Sequence, residues 1–285
     1  NLTGIKAHTI RMWEKRYKLL NPARLTRNVR VYTLQDLQKI LNISLLQKYK
    51  YKISDLSKLS AIELAEESKS VFLLENPPSY SINSLLVSMF SFDEALFEQV
   101  YTAQIKTTTF KEIFIKIYLP LLNYIGVLWQ TNAVQPANEH FIANLIYQKI
   151  TLHTALLDAN GLSDDEVYVL FLPEGEIHEI GLLFFKYCLK LKKKKVIYLG
   201  RNVPFDNLFP IHTQFKKIIW VSAFLINKPE EIKNKFIFQM EKLIKNTENS
   251  CLVIGKVWND FPKKTSSKNI IFYDDFGKLL LNMEA

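Results

Sequence analysis

The sequence predicts a multidomain protein of α and α/β class: a small basic α domain carrying a β-ribbon, then a four-helix bundle, then a doubly wound α/β domain built on a parallel sheet. Three observations predict this order. The surplus positive charge is confined to the first 58 residues, where 13 Lys and Arg stand against only Glu14, Asp36 and Asp55, while the rest of the chain is close to neutral. Pro77 and Pro78 then break the chain, and helical apolar stripes fill the stretch up to Asp158. From Glu166 onward, short continuous apolar runs alternate with helical segments. At 285 residues, 48% hydrophobic and 23% charged, the chain has material for several cores and excludes the collagen-like and disordered classes.

Composition also bounds the setting. Two cysteines, Cys188 and Cys251, exclude a disulfide scaffold or a multi-cysteine zinc module and fit a reducing compartment. The uncharged stretch Ile117 to Asn138 has bilayer length, yet its second half carries Gln130, Asn132, Gln135 and Pro136, which hydrocarbon does not accommodate. The first residues read as part of a folded domain rather than a secretory signal. A cytoplasmic protein with no membrane partner is expected.

In the basic module, Gly4 permits a turn and a helix follows from about Lys6 to Lys18, with Ile5, Ile10 and Trp13 inward and His8, Thr9, Arg11 and Arg16 outward. Arg24, Arg27 and Arg30, with Val29 and Val31 alternating against Arg30 and Tyr32, read as a small basic ribbon. Thr33 caps a helix from about Leu34 to Tyr49. Two short helices around a Gly turn, the second rich in groove-reading side chains, follow the helix-turn-helix plan, and the ribbon is its wing. Basic residues spread over helix, loop and strand favour nucleic acid over a membrane surface, which would need them on one face of an amphipathic helix.

Thr3-Gly4-Ile5, Thr9-Ile10-Arg11, Trp13-Glu14, Arg16-Tyr17, Pro22, Arg24, Arg30, Tyr32 and Asp36-Leu37 together resemble the winged helix-turn-helix of MerR-family transcription regulators, with its first helix truncated. The resemblance implies that His8, Thr9 and Arg11 enter the major groove, and that Arg16, Tyr17, Arg24, Arg27, Arg30 and Tyr32 meet backbone phosphates. Only a short helical stretch, Ala61 to Ser70, is expected before the double proline, in place of the long dimerising helix of metal and drug sensors.

The middle segment, residues 79–160, predicts helices at about Ile82–Phe90, Asp93–Ile105, Thr109–Trp129 and Pro136–Leu157, with Pro120 kinking or loosening the third. Residues 164–285 predict strands at Val167–Leu172, Val196–Leu199, Ile218–Phe224, Cys251–Ile254 and Ile270–Tyr273, a flavodoxin-like sheet, with helices including His178–Leu191 and Pro229–Lys245. In the loop after the first strand, a histidine two residues beyond a carboxylate can be held in one tautomer, leaving its other nitrogen for a metal. Gly181 leaves room for a bulky group at the helix start.

Glu176-x-His178-x-x-Gly181 resembles the Asp-x-His-x-x-Gly loop of cobalamin-binding domains, and Tyr198-Leu199-Gly200 their second strand. Trp129, followed after nine residues by Glu139-His140, is similar to the upper-face motif of cobalamin-binding MerR-type regulators, including the light-dependent repressors of carotenoid genes. The resemblance implies adenosylcobalamin with His178 as its cobalt ligand, Trp129, Glu139 and His140 around the adenosyl group, and Ser222 and Gly255 near the nucleotide tail. It also implies a non-enzymatic regulator of double-stranded DNA, acting as a homodimer or tetramer. The departures are Glu176 for Asp, Ser222-Ala223-Phe224 after the third strand, Ile254-Gly255 for Gly-Gly after the fourth, and Gln130 beside Trp129. They leave open a regulator with a vestigial pocket, and a corrinoid carrier for methyl transfer is the other alternative. His153 and His212 read as structural or surface residues.

Overall fold

The computed structural model describes residues 5–24, 30–75, 80–130, 134–157, 163–259, 261 and 267–284. The double proline, Arg27 and the Thr3-Gly4 turn lie outside them, as does the side chain of Gln130. The chain forms two compact units that divide between Ile146 and Tyr147.

The first unit begins with helix α1 (Ala7–Tyr17), the two-stranded antiparallel ribbon β1 (Ala23–Arg24) and β2 (Arg30–Val31), and helix α2 (Leu34–Lys48). Thr33 starts α2 through a capping box: its hydroxyl accepts from Asp36 N at 3.1 Å, and Asp36 accepts from Thr33 N at 2.8 Å. Helices α3 (Ile53–Leu56) and α4 (Ala61–Glu75) complete the module. Trp13, Ile40, Ile43, Leu46, Leu56, Leu64 and Val71 form its core. Helix α4 is thus longer than the stretch expected from sequence, because Val71, beyond Ser70, is buried in the module's core.

Next come α5 (Tyr80–Ser91), α6 (Glu94–Ile105), α7 (Phe110–Ile113), α8 (Leu119–Gln130) and α9 (Pro136–Ala155), the last running on into the second unit. Asp93 caps α6 by accepting from Leu96 N at 3.0 Å. The helix expected as Thr109–Trp129 is interrupted by one wide π-turn, Phe114–Tyr118, immediately before Pro120. Proline brings no N–H and its ring crowds the carbonyl four residues back, so the ladder loosens and Leu119 N reaches Phe114 O instead. Phe110–Trp129 is long and apolar enough to cross a membrane, yet half of its apolar window is buried within the protein, as in a core helix. Within this unit α2 and α4 pack on α8, and the buried Gln38 side chain donates to the Trp129 carbonyl at 3.0 Å.

The second unit is a five-stranded parallel sheet with strands β3 (Ser163–Pro173), β4 (Lys194–Val203), β5 (Ile218–Ala223), β6 (Ser250–Ile254) and β7 (Ile270–Tyr273), in the order β4-β3-β5-β6-β7. This is the flavodoxin-like order expected from the alternating runs. Helices α10 (Ile180–Leu191), α11 (Phe209–His212), α12 (Glu230–Ile244) and α13 (Phe276–Glu284) connect or follow the strands. One face of the sheet buries Val169, Phe171, Trp220, Cys251 and Val253 against Phe236, Met240 and Trp258. The first and second strands run several residues longer than their apolar runs, because the flanking polar residues still find ladder partners.

Candidate functional site

Each unit displays a cluster of chemistry-bearing side chains singled out from the sequence. On α1 only Trp13 is fully buried; His8, Arg11 and Arg16 are exposed, and Thr9 and Tyr17 are half-buried. His8 and Arg11 lie three residues apart and share a helix face. The Arg16 guanidinium sits 5.4 Å from the centre of the Tyr17 ring. Arg24 and Tyr32 are exposed on the ribbon and just after it. Arg30 folds back so that its Nε lies 3.0 and 3.2 Å from the two carboxylate oxygens of Glu14. That ion pair pins the ribbon to α1. Burial, then the Glu14 charge, raise the Tyr32 phenol above its ordinary range, against the opposing charges of Arg30 and Arg11. The base of the ribbon, at Arg30, therefore lies against α1 at Glu14. Reading the sequence attached no role to Glu14, whose partner is 16 residues away with no local pattern to announce it.

The second cluster lies at the carboxyl edge of the parallel sheet. In the order seen here the chain reverses direction across the sheet at the β3/β5 boundary, where doubly wound folds place their ligands. The loop leaving β3 turns over that boundary. Gly175 supplies a φ of 75°, and Glu176 N donates back to Pro173 O at 3.0 Å. The Glu176 side chain is fully buried. Its Oε1 accepts from the N–H groups of Ile177 and His178, at 3.0 and 3.2 Å, and lies 2.6 Å from His178 Nδ1. Its Oε2 accepts from Leu225 N at 3.0 Å and Ile226 N at 3.2 Å, in the loop after β5. One carboxylate thus stitches the two loops of the switch point together.

Burial alone pushes the Glu176 carboxyl up, but the hydrogen bonds from the His178 ring and from the N–H groups of Ile226 and His178 outweigh it and hold it at about 2. An ionised carboxylate can only accept, so Nδ1 of His178 carries a proton, and in the neutral ring Nε2 is then the nitrogen with a free lone pair. With 41% of its side chain exposed, His178 is accessible at the sheet edge. The same loop explains why α10 starts at Ile180 rather than at His178: Glu179 N is held by Ile177 O at 3.0 Å, and the helical ladder begins with Leu183 N on Glu179 O. Tyr198 donates to Glu179 Oε2 at 2.9 Å, a contact not anticipated from sequence.

The glycines and departures have structural expression. A Cβ on Gly181 would lie 2.6 Å from the Phe276 ring, so the bulky group that approaches the start of α10 is this chain's own Phe276. Phe224 N donates to Ile254 O at 2.8 Å, and Gly255 N to Tyr273 O at 2.9 Å, which zips β5, β6 and β7 together to their carboxyl ends. Gly255 has a φ of 144°, and a Cβ there would meet the Phe224 carbonyl at 2.1 Å. The Phe224 ring packs edge-on against Phe236 and Trp258, at 4.8 and 5.0 Å between centroids. Ile254 is fully buried. Between Trp220 and Phe224 on the same strand face, the Ser222 hydroxyl is buried with no hydrogen-bond partner among the described residues. Leaving such a group unsatisfied costs about 1–3 kcal/mol.

In the first unit, Trp129 closes α8 and is half-buried, while Glu139 and His140 lie in the opening turns of α9, half-buried and exposed respectively. No group of three or more His, Cys, Asp or Glu side chains able to hold a metal ion occurs among the described residues.

Residues 1–61 match the family described as MerR HTH family regulatory protein, and residues 81–152 match the B12 binding domain. The chain is 25% identical over 213 residues to the HTH-type transcriptional repressor CarH of Myxococcus xanthus, covering 73% of this chain and 70% of that protein. It is 27% identical over 206 residues to the HTH-type transcriptional repressor CarA of the same organism, covering 71% of this chain and 66% of that protein. Among solved structures, a Methanosarcina barkeri monomethylamine corrinoid protein superposes with a TM-score of 0.57 at 13% identity, over 71% of this chain and 94% of that one, a likeness of fold.

Proposed function

We propose that this chain, which joins a MerR-type helix-turn-helix to a B12-binding-type bundle and a parallel five-stranded sheet and is homologous to the repressors CarH and CarA, is a DNA-binding transcription regulator controlled by adenosylcobalamin. The observation that carries the reading is the Glu176–His178 pair at the switch point, with the ring oriented by an ionised carboxylate. A neutral imidazole fixed through Nδ1 is a suitable donor for a cobalt ion. When bound, the cofactor supplies a cobalt–carbon bond that light can break. Glu176 holds the tautomer and the loop, His178 offers the ligand nitrogen, and Trp129, Glu139 and His140 are assigned to the adenosyl side. Ser222, whose hydroxyl has no partner among the described residues, and Gly255 are assigned to the nucleotide tail, and Gly181 to the close approach of Phe276 to α10. The regulator works as a homodimer or tetramer on paired half-sites of double-stranded DNA. The cofactor must interact differently with the two assembly states, or it could shift nothing.

On the DNA side, His8, Thr9 and Arg11 are assigned to base edges, and Arg16, Tyr17, Arg24, Arg27, Arg30 and Tyr32 to phosphates. Arg30→Ala then lowers affinity for operator and unrelated DNA by similar factors and reduces the slope of log affinity against log salt by about one. Because Arg30 also ties the ribbon to Glu14, Glu14→Ala weakens DNA binding in the same direction by freeing the wing. A loss confined to one operator sequence in gel-shift titrations would show instead that the wing reads bases.

A second reading is favoured by the closed carboxyl ends of β5 and β6, where Phe224, Ile254 and Trp258 fill the interior. On that reading the pocket is vestigial and another signal controls DNA binding. A visible spectrum separates the two. Protein mixed with adenosylcobalamin in the dark and desalted retains corrin bands that change on illumination if the first reading holds, and emerges colourless if the second does.

A further inference from the structure

The second unit holds a cavity of about 290 Å³ between the C-terminal half of α9 and the face formed by α10 and β4. That volume is at the lower end of the ~300–1,000 Å³ range of small-molecule sites. Its walls are the side chains of Tyr147, Thr151 and Thr154 from α9 and of Leu183 and Tyr198 opposite. The two threonine hydroxyls donate to carbonyls of their own helix, Thr151 to Tyr147 O at 3.0 Å and Thr154 to Ile150 O at 2.6 Å, so their protons are already engaged. The Tyr198 hydroxyl is likewise committed to Glu179.

Two cations also line this largely apolar space. Lys186 and Lys190 lie one turn apart on α10. The Lys186 ammonium sits 5.0 Å from the centre of the Tyr198 ring, and neither lysine has a carboxylate partner among the described residues. Burial, and then the neighbouring Lys190, lower the Lys186 ammonium below its ordinary range, the behaviour of two like charges without a counter-ion. Neither lysine, nor any wall of this cavity, belongs to the Glu176–His178 loop.

We infer that this cavity is a second ligand site, for a small monoanion with an apolar body, a short-chain or aromatic carboxylate, whose head pairs with Lys186 and Lys190 while its body lies against Leu183 and the tyrosine rings. A fully hydrated anion would leave the apolar walls unused, and a neutral molecule would leave the two cations unpaired.

The test is calorimetric titration of the full chain with octanoate and benzoate, with octan-1-ol and inorganic phosphate as controls. At least one of the two carboxylates binds, while the alcohol and phosphate bind at least tenfold more weakly. The Lys186→Gln, Lys190→Gln double variant loses the carboxylate by tenfold or more. Thr151→Trp, which fills the cavity from an exposed position and keeps both lysines, loses it as well. Equal carboxylate binding by wild type and both variants, phosphate binding as tight as carboxylate, or no carboxylate binding by folded wild type would each overturn the inference.

Discussion

Glu176→Ala is expected to lower the thermal midpoint of the α/β unit by about 10 °C at neutral pH. The substitution strips a fully buried carboxylate from four backbone N–H groups, those of Ile177, His178, Leu225 and Ile226. A buried donor left unsatisfied costs roughly 1–3 kcal/mol, and donors near the loop surface recover part of that from water, so a net loss of about 3 kcal/mol is reasonable. The pH dependence has a definite sign. In the folded chain this carboxyl titrates at about 2, below its ordinary 4.5. Its contribution is therefore complete above the unfolded value and is lost as the pH falls from there through the folded one, a window worth on the order of 3 kcal/mol. Thermal melts of wild type and Glu176→Gln at pH 7, 4.5 and 3 check this. The wild type loses more stability between the last two than the glutamine variant, already reduced, which keeps only the acid sensitivity of other carboxylates such as Glu166. Parallel acid sensitivity in both proteins would show that Glu176 does not carry the effect.

The other large effect concerns His178. His178→Ala is expected to destabilise the fold by about 1–2 kcal/mol, because the buried Glu176 carboxylate loses its ring donor but keeps its four backbone donors. It is expected to abolish the axial-imidazole signature of a bound corrinoid and to weaken its retention by more than the roughly 10–100-fold that follows loss of an outer partner of a metal ligand. Glu176→Gln falls within that smaller range, since it disturbs the tautomer without removing the donor. Equilibrium dialysis followed by a visible spectrum distinguishes these outcomes. A retained corrinoid whose bands are the same in His178→Ala and wild type would mean that the imidazole never touches the cobalt.

What could be read from the sequence was governed by distance along the chain. Thr33 directly precedes the helix it starts, so the start of α2 was visible, as was the start of a helix at Asp93, while the capping box with Asp36 is what the structure adds. Pro120 announced a disturbance, and the π-turn beside it is the form that disturbance takes. The five apolar runs gave the number of parallel strands and their succession along the chain, because each is a local signal. The Glu176–His178 pair was equally legible at a spacing of two. The contacts that turn this pair into a site were not. Leu225 and Ile226 meet Glu176 across 49 and 50 residues, Arg30 meets Glu14 across 16, and Phe276 fills the space above Gly181 from the last helix. Nothing in the composition of either partner encodes such meetings. They arise from the topology of the sheet and the ribbon. The start of α10 was misplaced for the same reason, since the periodicity of residues 178–191 cannot show that the first two are held by a loop.

The hydrogen bond from Gln38 to the Trp129 carbonyl joins the DNA-binding module to the end of α8 within one compact unit. Coupling between two binding sites, where it exists, has no preferred direction. Whatever factor a cofactor-favoured arrangement of Trp129 imposes on operator affinity, the operator must impose on cofactor affinity in return. On the proposed function, a promoter carrying this regulator would be more than a target. Were cofactor and operator coupled in this way, occupying the protein would alter how firmly each molecule keeps its cofactor, and the number of operator sites would become part of the sensor's calibration.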